Sequence, residues 1–173
     1  QAFAYALNVF YTFKEATYTP TIGIEYTFAS GDEDPDDDEV ETFDSLYTFS
    51  HNYQGYADIF GWKNGSDIAL KASAKPNTQW TVGLDFHIFE LDEEKDAWYT
   101  ASGAALREDD SGESDESVGT EIDLYAKFVY DAHLNFWMGY SHFFAGDFVE
   151  DTKSATGIDD DMDWLFLQMM VNF

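Results

Sequence analysis

The chain has 173 residues, with 8 Lys or Arg against 35 Asp or Glu, and its formal net charge is −27 at pH 7. This charge repels phosphates, so nucleic acids are excluded as partners. Because the chain has no cysteine, disulfides, Cys-ligated zinc and thiol catalysis are excluded as well. No apolar run reaches the roughly 18 residues of a membrane-spanning helix. With 18% aromatic residues, the chain is predicted to fold rather than to be disordered.

Seven segments alternate apolar and polar residues with a period of two, which is the period of a β-strand. They lie at about 2–13, 21–28, 66–75, 79–91, 119–130, 133–144 and 163–173. Each has one apolar face and one face of charged or small polar residues. We therefore predict an all-β, antiparallel fold.

The connections between these segments alternate strictly between short and long. The long ones lie at about 29–65, 92–117 and 146–161, and all three are acidic. Transmembrane β-barrels have short periplasmic turns, long external loops, an apolar outside and a polar inside. A soluble β-sandwich has no reason to sort its loops by length. The sequence therefore predicts residues 1–173 to be a single region of a transmembrane β-barrel in the bacterial outer membrane.

The strand number predicts that this barrel is larger than seven strands. Single-chain bacterial barrels have an even number of strands and close on themselves, because an open edge in lipid leaves backbone groups unsatisfied. We therefore expect that Gln1 is not the natural N-terminus. The missing strands would come from the same chain or from another chain.

The last segment places Leu165, Leu167, Met169 and Val171 on one apolar face and ends on Phe173. It is similar to the C-terminal insertion signal of bacterial outer-membrane barrels. This similarity implies that the barrel-insertion machinery binds the Phe173 strand. Outer-membrane lipid and lipopolysaccharide are the other expected partners.

The first long connection ends in a stretch rich in aromatic residues and glycine, His51-Asn52-Tyr53-Gln54-Gly55-Tyr56-Ala57-Asp58-Ile59-Phe60-Gly61-Trp62-Lys63-Asn64. A strand ending in Lys75-Pro76 follows, and the next strand contains Asp85-Phe86-His87. Over about 43–101 this resembles the alginate export family of outer-membrane barrels. The resemblance implies a channel for polar solutes, with no enzymatic activity, of which this chain is the C-terminal portion.

Alternation places charged side chains on the strand face that would line the barrel interior. The predicted pore lining consists of Glu25, Lys71, Lys75, Asp85, His87, Glu121, Asp123 and Lys127. Opposite charges on neighbouring strands tend to pair. The alginate carriers of the resembled family are expected to use a basic lumen for a polyanion, so this mixed charge argues against alginate itself as the solute.

The aromatic stretch has two interpretations that the sequence leaves open. It could fold into the lumen as a constriction, formed by His51, Tyr53, Tyr56, Asp58, Phe60 and Trp62. Alternatively, its aromatic residues could merely cover the rim of the barrel.

We expect no cofactor, although the clustered carboxylates of the acidic runs could bind Ca²⁺ weakly, with Asp36, Asp37 and Asp38 as candidate ligands. None of the runs has the spacing of an EF-hand loop. The preferred interpretation is a solvated acidic surface, as in a salt-adapted organism, or one that holds the cations that bridge lipopolysaccharide. We expect no catalytic residues: Asp85 and His87 fit a hydrogen bond in the wall, and Ser141 and His142 point to opposite faces of one strand.

Three functional hypotheses follow. The first is a passive outer-membrane porin or export channel for small or polymeric polar solutes. The second is a structural barrel whose acidic external loops dock partner proteins of an envelope complex. The third is a secreted β-sandwich of a salt-adapted organism, which would be soluble without detergent.

Overall fold

The computed structural model describes residues 1–35, 37–47, 53–109, 111–153 and 158–173. Its main element is an antiparallel sheet of seven strands, in which each strand pairs with the next of these strands along the chain. The strands are β1 (Ala4–Thr12), β2 (Thr21–Ala29), β3 (Gly65–Ala74), β4 (Trp80–Glu90), β7 (Ser117–Val129), β8 (Leu134–Ala145) and β9 (Met162–Val171). Between β4 and β7 lies a small separate hairpin, β5 (Trp98–Tyr99) and β6 (Ala105–Arg107), and β8 is followed by a short helix, α1 (Asp147–Asp151).

All seven predicted strands are present, and each predicted boundary lies within two residues of the observed one. The antiparallel, all-β class is therefore confirmed. The small hairpin and α1 were not predicted; both lie inside connections that the sequence analysis treated as loops.

The seven-stranded sheet is open. β1 and β9 are its two edges, and each pairs with a neighbour on one side only within the described residues. The register is continuous from β1 to β9, apart from one bulge between Phe89 and Glu90. The described chain is thus a sheet and not by itself a closed barrel.

One face of the sheet is apolar and exposed. Its large side chains include Ile22, Ile24, Ile68, Leu70, Leu84, Leu124, Leu165 and Leu167. The exposed fraction reaches 77% at Leu165. A contiguous apolar surface of this kind is typical of an interaction surface rather than of a water-facing wall.

The hydrophobic core lies at the end of the sheet where the long connections are. It is formed by Ala57, Ile59, Phe60, Phe89, Leu91, Trp98, Val118, Phe143, Phe148 and Val149. The ring of Phe60 stacks on that of Phe89 with centroids 4.8 Å apart, and Trp98 stacks on Phe143. The hairpin and α1 thus exist because their apolar residues pack on the ends of β4, β7 and β8.

Two buried polar side chains fasten the long connections to one another. The Asn64 amide donates to the carbonyl oxygens of Glu93 (2.9 Å) and Ala97 (3.1 Å) and accepts from the backbone N–H of Glu93 (2.9 Å). The Arg107 guanidinium donates to the carbonyl oxygens of Val149 and Ile158, both at 2.9 Å. The acidic connections are therefore packed parts of the fold in their buried portions, and not solvated loops throughout.

No helix in the described ranges is long and apolar enough to cross a membrane.

Candidate functional site

The candidate site is the polar face of the sheet, opposite the exposed apolar face. The register aligns Lys71, Asp85, Asp123 and Ser141 in one row across β3, β4, β7 and β8. Successive side chains of a strand alternate between faces, so residues two positions away share this face. The next row, toward the long connections, accordingly holds Glu25, Ala69, His87 and Glu121, and Asp67 lies beyond it.

Ion pairs and hydrogen bonds join these rows. Lys71 Nζ lies 2.8 Å from Glu25 Oε1. His87 Nδ1 lies 2.8 Å from Asp67 Oδ2, and its Nε2 lies 3.5 Å from Asp123 Oδ2. The Ser141 hydroxyl donates to the second oxygen of Asp123. Within this network, Asp67, Glu121, Asp123 and Ser141 are completely inaccessible to solvent.

Residues 53–64, the covering segment, lie against this polar face and bury it. The backbone N–H groups of Tyr56 and Ala57 both donate to Glu121 Oε1, at 2.8 and 3.1 Å. Gln54 Nε2 donates to the Thr27 hydroxyl at 3.2 Å, and the Trp62 indole N–H donates to a β2 carbonyl oxygen at 2.9 Å. Hydrogen bonds to β2 and β7 therefore hold the segment across the sheet.

Gly55 makes the approach to β7 possible. Its φ is +77°, a region that side chains with a Cβ rarely adopt. A Cβ at this position would lie 2.5 Å from Glu121 Oε1. Glycine is therefore required here for both backbone conformation and space.

Tyr56 anchors the segment through its ring. The ring meets those of Tyr125, Trp137 and Phe166 edge-on, with centroid distances of 5.6, 5.4 and 5.6 Å. Edge-to-face contacts at these distances are favourable aromatic geometries. The aromatic cluster borders the buried carboxyl groups on the side of the short connections.

The structure brings together five of the residues predicted to line a pore. Glu25, Asp85, His87, Glu121 and Asp123 are buried side by side beneath the covering segment. They share a face as predicted, but in the described chain they are covered rather than open to water. Their role in lining a passage stays a prediction.

The three predicted lysines lie toward the other end of the sheet. Lys71 is at the margin of the buried group. Lys127 is exposed, with its Nζ 4.2 Å from the ring centroid of Trp137. Lys75 is exposed just after the end of β3. Lys71 is therefore interspersed with the carboxyl groups, as the alternation suggested, whereas Lys75 and Lys127 are exposed.

The predicted constriction residues fall into two groups, those that pack on the sheet or on one another and those that do not. Tyr53, Tyr56, Phe60 and Trp62 pack on the sheet or on one another; the rings of Tyr53 and Trp62 stack at 5.9 Å. Asp58 has a φ of +56°, and its carbonyl oxygen accepts from Ala101 N at 3.2 Å, toward the small hairpin. His51 lies outside the described residues.

Four residues of the site were not predicted to belong to it: Asp67, Ser141, Gln54 and Gly55. Asp67 has the same strand parity as Lys71, so alternation contained the signal, but its place at the start of β3 obscured it. The roles of Gln54 and Gly55 depend on contacts with distant strands, and no local pattern indicates them.

The acidic connections also contain shallow clefts at the surface. One cleft of about 350 Å³ is lined by Glu33, Asp34, Asp37, Glu41, Glu93, Glu94 and Lys95. Burial, and then the charges of neighbouring carboxylates, raise the pKa of Glu93, and the same causes raise that of Glu116. A hydrogen bond from Ser111 lowers the pKa of Asp109.

Metal binding at these connections has no geometric support within the described ranges. There, no group of three or more His, Asp or Glu residues is arranged to hold an ion. Of the candidate Ca²⁺ ligands, Asp36 lies outside the described residues. Asp37 and Asp38 are exposed, and the Asp37 carboxylate accepts from Glu39 N at 2.6 Å. Ca²⁺ binding at this run remains a prediction.

Comparison with known proteins places the chain in a family. No curated protein sequence matches it. The family model described as "Alginate export" matches residues 1–160, which extends well beyond the 43–101 stretch that carries the resemblance by motif. The matched range includes the covering segment and the strands on which it lies. The chain therefore belongs to the alginate export family, a transport family of export-related outer-membrane proteins and not a family of enzymes.

Proposed function

We propose that this chain forms part of the wall of an outer-membrane channel that passes polar solutes, and that the covering segment narrows the passage. The observation that carries the proposal is the position of residues 53–64. They lie across the polar face of the sheet and make hydrogen bonds to β2 and β7. A segment that merely covered the rim would leave this face open.

The exposed apolar face supports a membrane position for the sheet. In this proposal, lipid covers that face, and the sheet edges β1 and β9 pair with further strands of the same chain or of another. Pairing is required because an edge in lipid would leave backbone N–H and C=O groups without partners. The β9 strand and Phe173 would engage the insertion machinery, and the acidic connections would face the exterior.

The distribution of charge supports polar solutes that include anions. The carboxyl groups of this part of the wall are buried, so they do not present their charge to a passage. Lys127, beside the aromatic ring of Trp137, and Lys75 are exposed. The mixture of charges in the sequence argued against a polyanion, and the burial of the carboxyl groups removes most of that objection.

Conductance of the full-length protein in a planar lipid bilayer tests the proposal. We expect discrete conductance steps, and we expect Lys127→Gln to lower the permeability of anions relative to cations. Lys153→Gln is the matched control, because Lys153 lies in an external connection, 3.4 Å from Asp160, and its loss should leave selectivity unchanged. Equal selectivity in both variants would contradict the assignment of Lys127 to the passage.

A structural barrel is the second candidate, and the burial of the covered polar face favours it. The external connections are also internally packed and acidic, as a docking surface for basic partners would be. A protein that inserts into the bilayer without conducting, and that copurifies with one stable partner, would support the scaffold over the channel.

A further inference from the structure

The buried polar face contains more carboxyl groups than cations. Glu25, Asp67, Asp85, Glu121 and Asp123 are each at least 96% buried, judged by exposed fractions of 4% or less. The described cations near them are Lys71 and Lys127, together with His87 when it is protonated. Ionised carboxylates removed from water are strongly unfavourable without a partner. Five carboxylates facing at most three cations therefore require another source of neutralisation.

The hydrogen bonds of Glu121 indicate which carboxyl groups need a proton. Its Oε1 accepts the N–H groups of Tyr56 and Ala57, while its Oε2 meets no donor within the described residues. Asp123 Oδ2 likewise lacks a hydrogen-bond donor there, and His87 Nε2 lies 3.5 Å from it. Glu121 and Asp123 lie two positions apart on the same face of β7, so their fully buried side chains are neighbours and each has one oxygen without a donor. Two carboxyl groups can hydrogen-bond only when one of them carries a proton.

A bound metal ion is the other means of neutralising such a group. Within the described residues, no three acidic or histidine side chains converge in a way that could hold one. A proton shared between neighbouring carboxyl groups needs no such convergence. It also leaves Glu121 Oε1 available to accept the two backbone N–H groups.

We propose that Glu121 is the positioning residue of the covering segment and that it acts as one member of a carboxyl pair sharing a proton with Asp123. One oxygen of Glu121 holds the backbone of the segment, and the other oxygen is kept close to Asp123 by the proton. This proposal rests on the proposed function for its biological meaning, since it assigns the control of the narrowing segment to that proton.

Raising the pH removes the shared proton to solvent and leaves two adjacent buried carboxylates. Their repulsion separates the side chains and draws Glu121 away from the two N–H groups, so the segment loosens. The groups that face the pair are the Glu25 carboxylate on β2, Asp67 and Lys71 on β3, Asp85 and His87 on β4, Tyr125 and Lys127 on β7, Ser141 on β8, and Tyr56 of the segment.

Hydrogen exchange of the Tyr56 and Ala57 amides tests the proposal on the full-length protein refolded in detergent micelles. In the open state both carboxyl groups reach water and ionise, so the closed state holds one proton more than the open state. From about pH 6 upward to about pH 10, we therefore expect protection of these amides to fall about tenfold per pH unit until the closed state itself releases the proton, after correction for intrinsic exchange. Amides in the centre of β4 serve as the internal reference and should keep their protection.

Glu121→Gln provides the decisive comparison, because glutamine has the shape of a protonated glutamate. Its oxygen can accept the two N–H groups and its NH₂ can donate to Asp123. We expect this variant to keep native protection at about pH 7 and to lose the pH dependence. In Asp123→Asn, the asparagine NH₂ can donate to Glu121 in place of the shared proton, so this variant should behave in the same way. It keeps the test available if Glu121→Gln fails to fold.

Two results would overturn the proposal. The first is unchanged protection of Tyr56 and Ala57 in the native protein across this pH range. The second is loss of protection at about pH 7 in Glu121→Gln, which would mean that the native side chain is ionised. Neither result depends on conductance, so the proposal of the proton-sharing pair and the proposal of a channel can be refuted independently.

Discussion

Replacing Gly55 with alanine should detach the covering segment from β7. At a φ of +77°, a residue with a Cβ is strained by roughly 1–2 kcal/mol. The new Cβ would also lie 2.5 Å from Glu121 Oε1, so this side chain must move away from the N–H groups of Tyr56 and Ala57. The two hydrogen bonds from these N–H groups to the Glu121 carboxyl group are worth roughly 1.5 kcal/mol each. The expected total is about 4 kcal/mol, lost from the local stability of the segment.

Gly103→Ala is the matched control for this substitution. Its φ is +81°, and no heavy atom lies within 4 Å of the position that its Cβ would occupy. It therefore carries the conformational strain, about 1–2 kcal/mol, without the collision.

Hydrogen exchange of the Tyr56 amide measures the local opening free energy in both variants. We expect a large decrease for Gly55→Ala and a much smaller one for Gly103→Ala, because the hairpin bonds to the segment at Asp58 and Gly61 and not at the Tyr56 amide, which is held by Glu121. Combining Gly55→Ala with Glu121→Ala should add little further loss, since the collision and the hydrogen bonds have the same partner. Strictly additive effects, or equal opening of the segment in the two single variants, would refute the reasoning.

Two further predictions concern the long connections. Arg107→Met should lower the free energy of chemical unfolding by about 3 kcal/mol, because the buried carbonyl oxygens of Val149 and Ile158 lose their donor. Lys95→Met is the control at an exposed site and should change stability little. Burial and neighbouring charges raise the pKa of Glu93 and Glu116, so folding favours their protonated forms. Stability should therefore rise as the pH falls from 7 toward 4.5, and glutamine at both positions should reduce that slope; an unchanged slope would contradict the assignment.

The strands of this chain could be predicted because one physical signal, the period of two, specifies them. Each strand has a face for the apolar surroundings and a face for polar groups, so both its existence and its orientation are recorded locally in the sequence. The β5–β6 hairpin and α1 have no local sequence signal of this kind. They are too short for a period to be recognised, and they form because Trp98 and Phe148 find places in a core built from distant strands.

The sequence predicts which residues share the polar face, but it does not predict what covers them. Alternation shows that Asp85, Glu121 and Asp123 share a face, but it does not show what lies against that face. Their burial follows from the covering segment, whose contacts with β7 join residues 65 positions apart. Because these contacts are not visible in the local pattern, the sequence suggested a mixed, open lining.

The distance along the chain between Tyr56 and Glu121 sets an order of events in folding. The hairpins β3–β4 and β7–β8 have short connections and can form early, because closing a short loop loses little chain entropy. The covering segment cannot dock until β7 has joined β4 across the connection from 91 to 116. Before docking, the carboxyl groups of the polar face are in water; afterwards they are buried, and Glu121 and Asp123 share a proton in the arrangement proposed above. The last step of assembly is therefore also a step of proton uptake, so the rate at which this part of the protein matures should depend on the acidity of the compartment in which it folds.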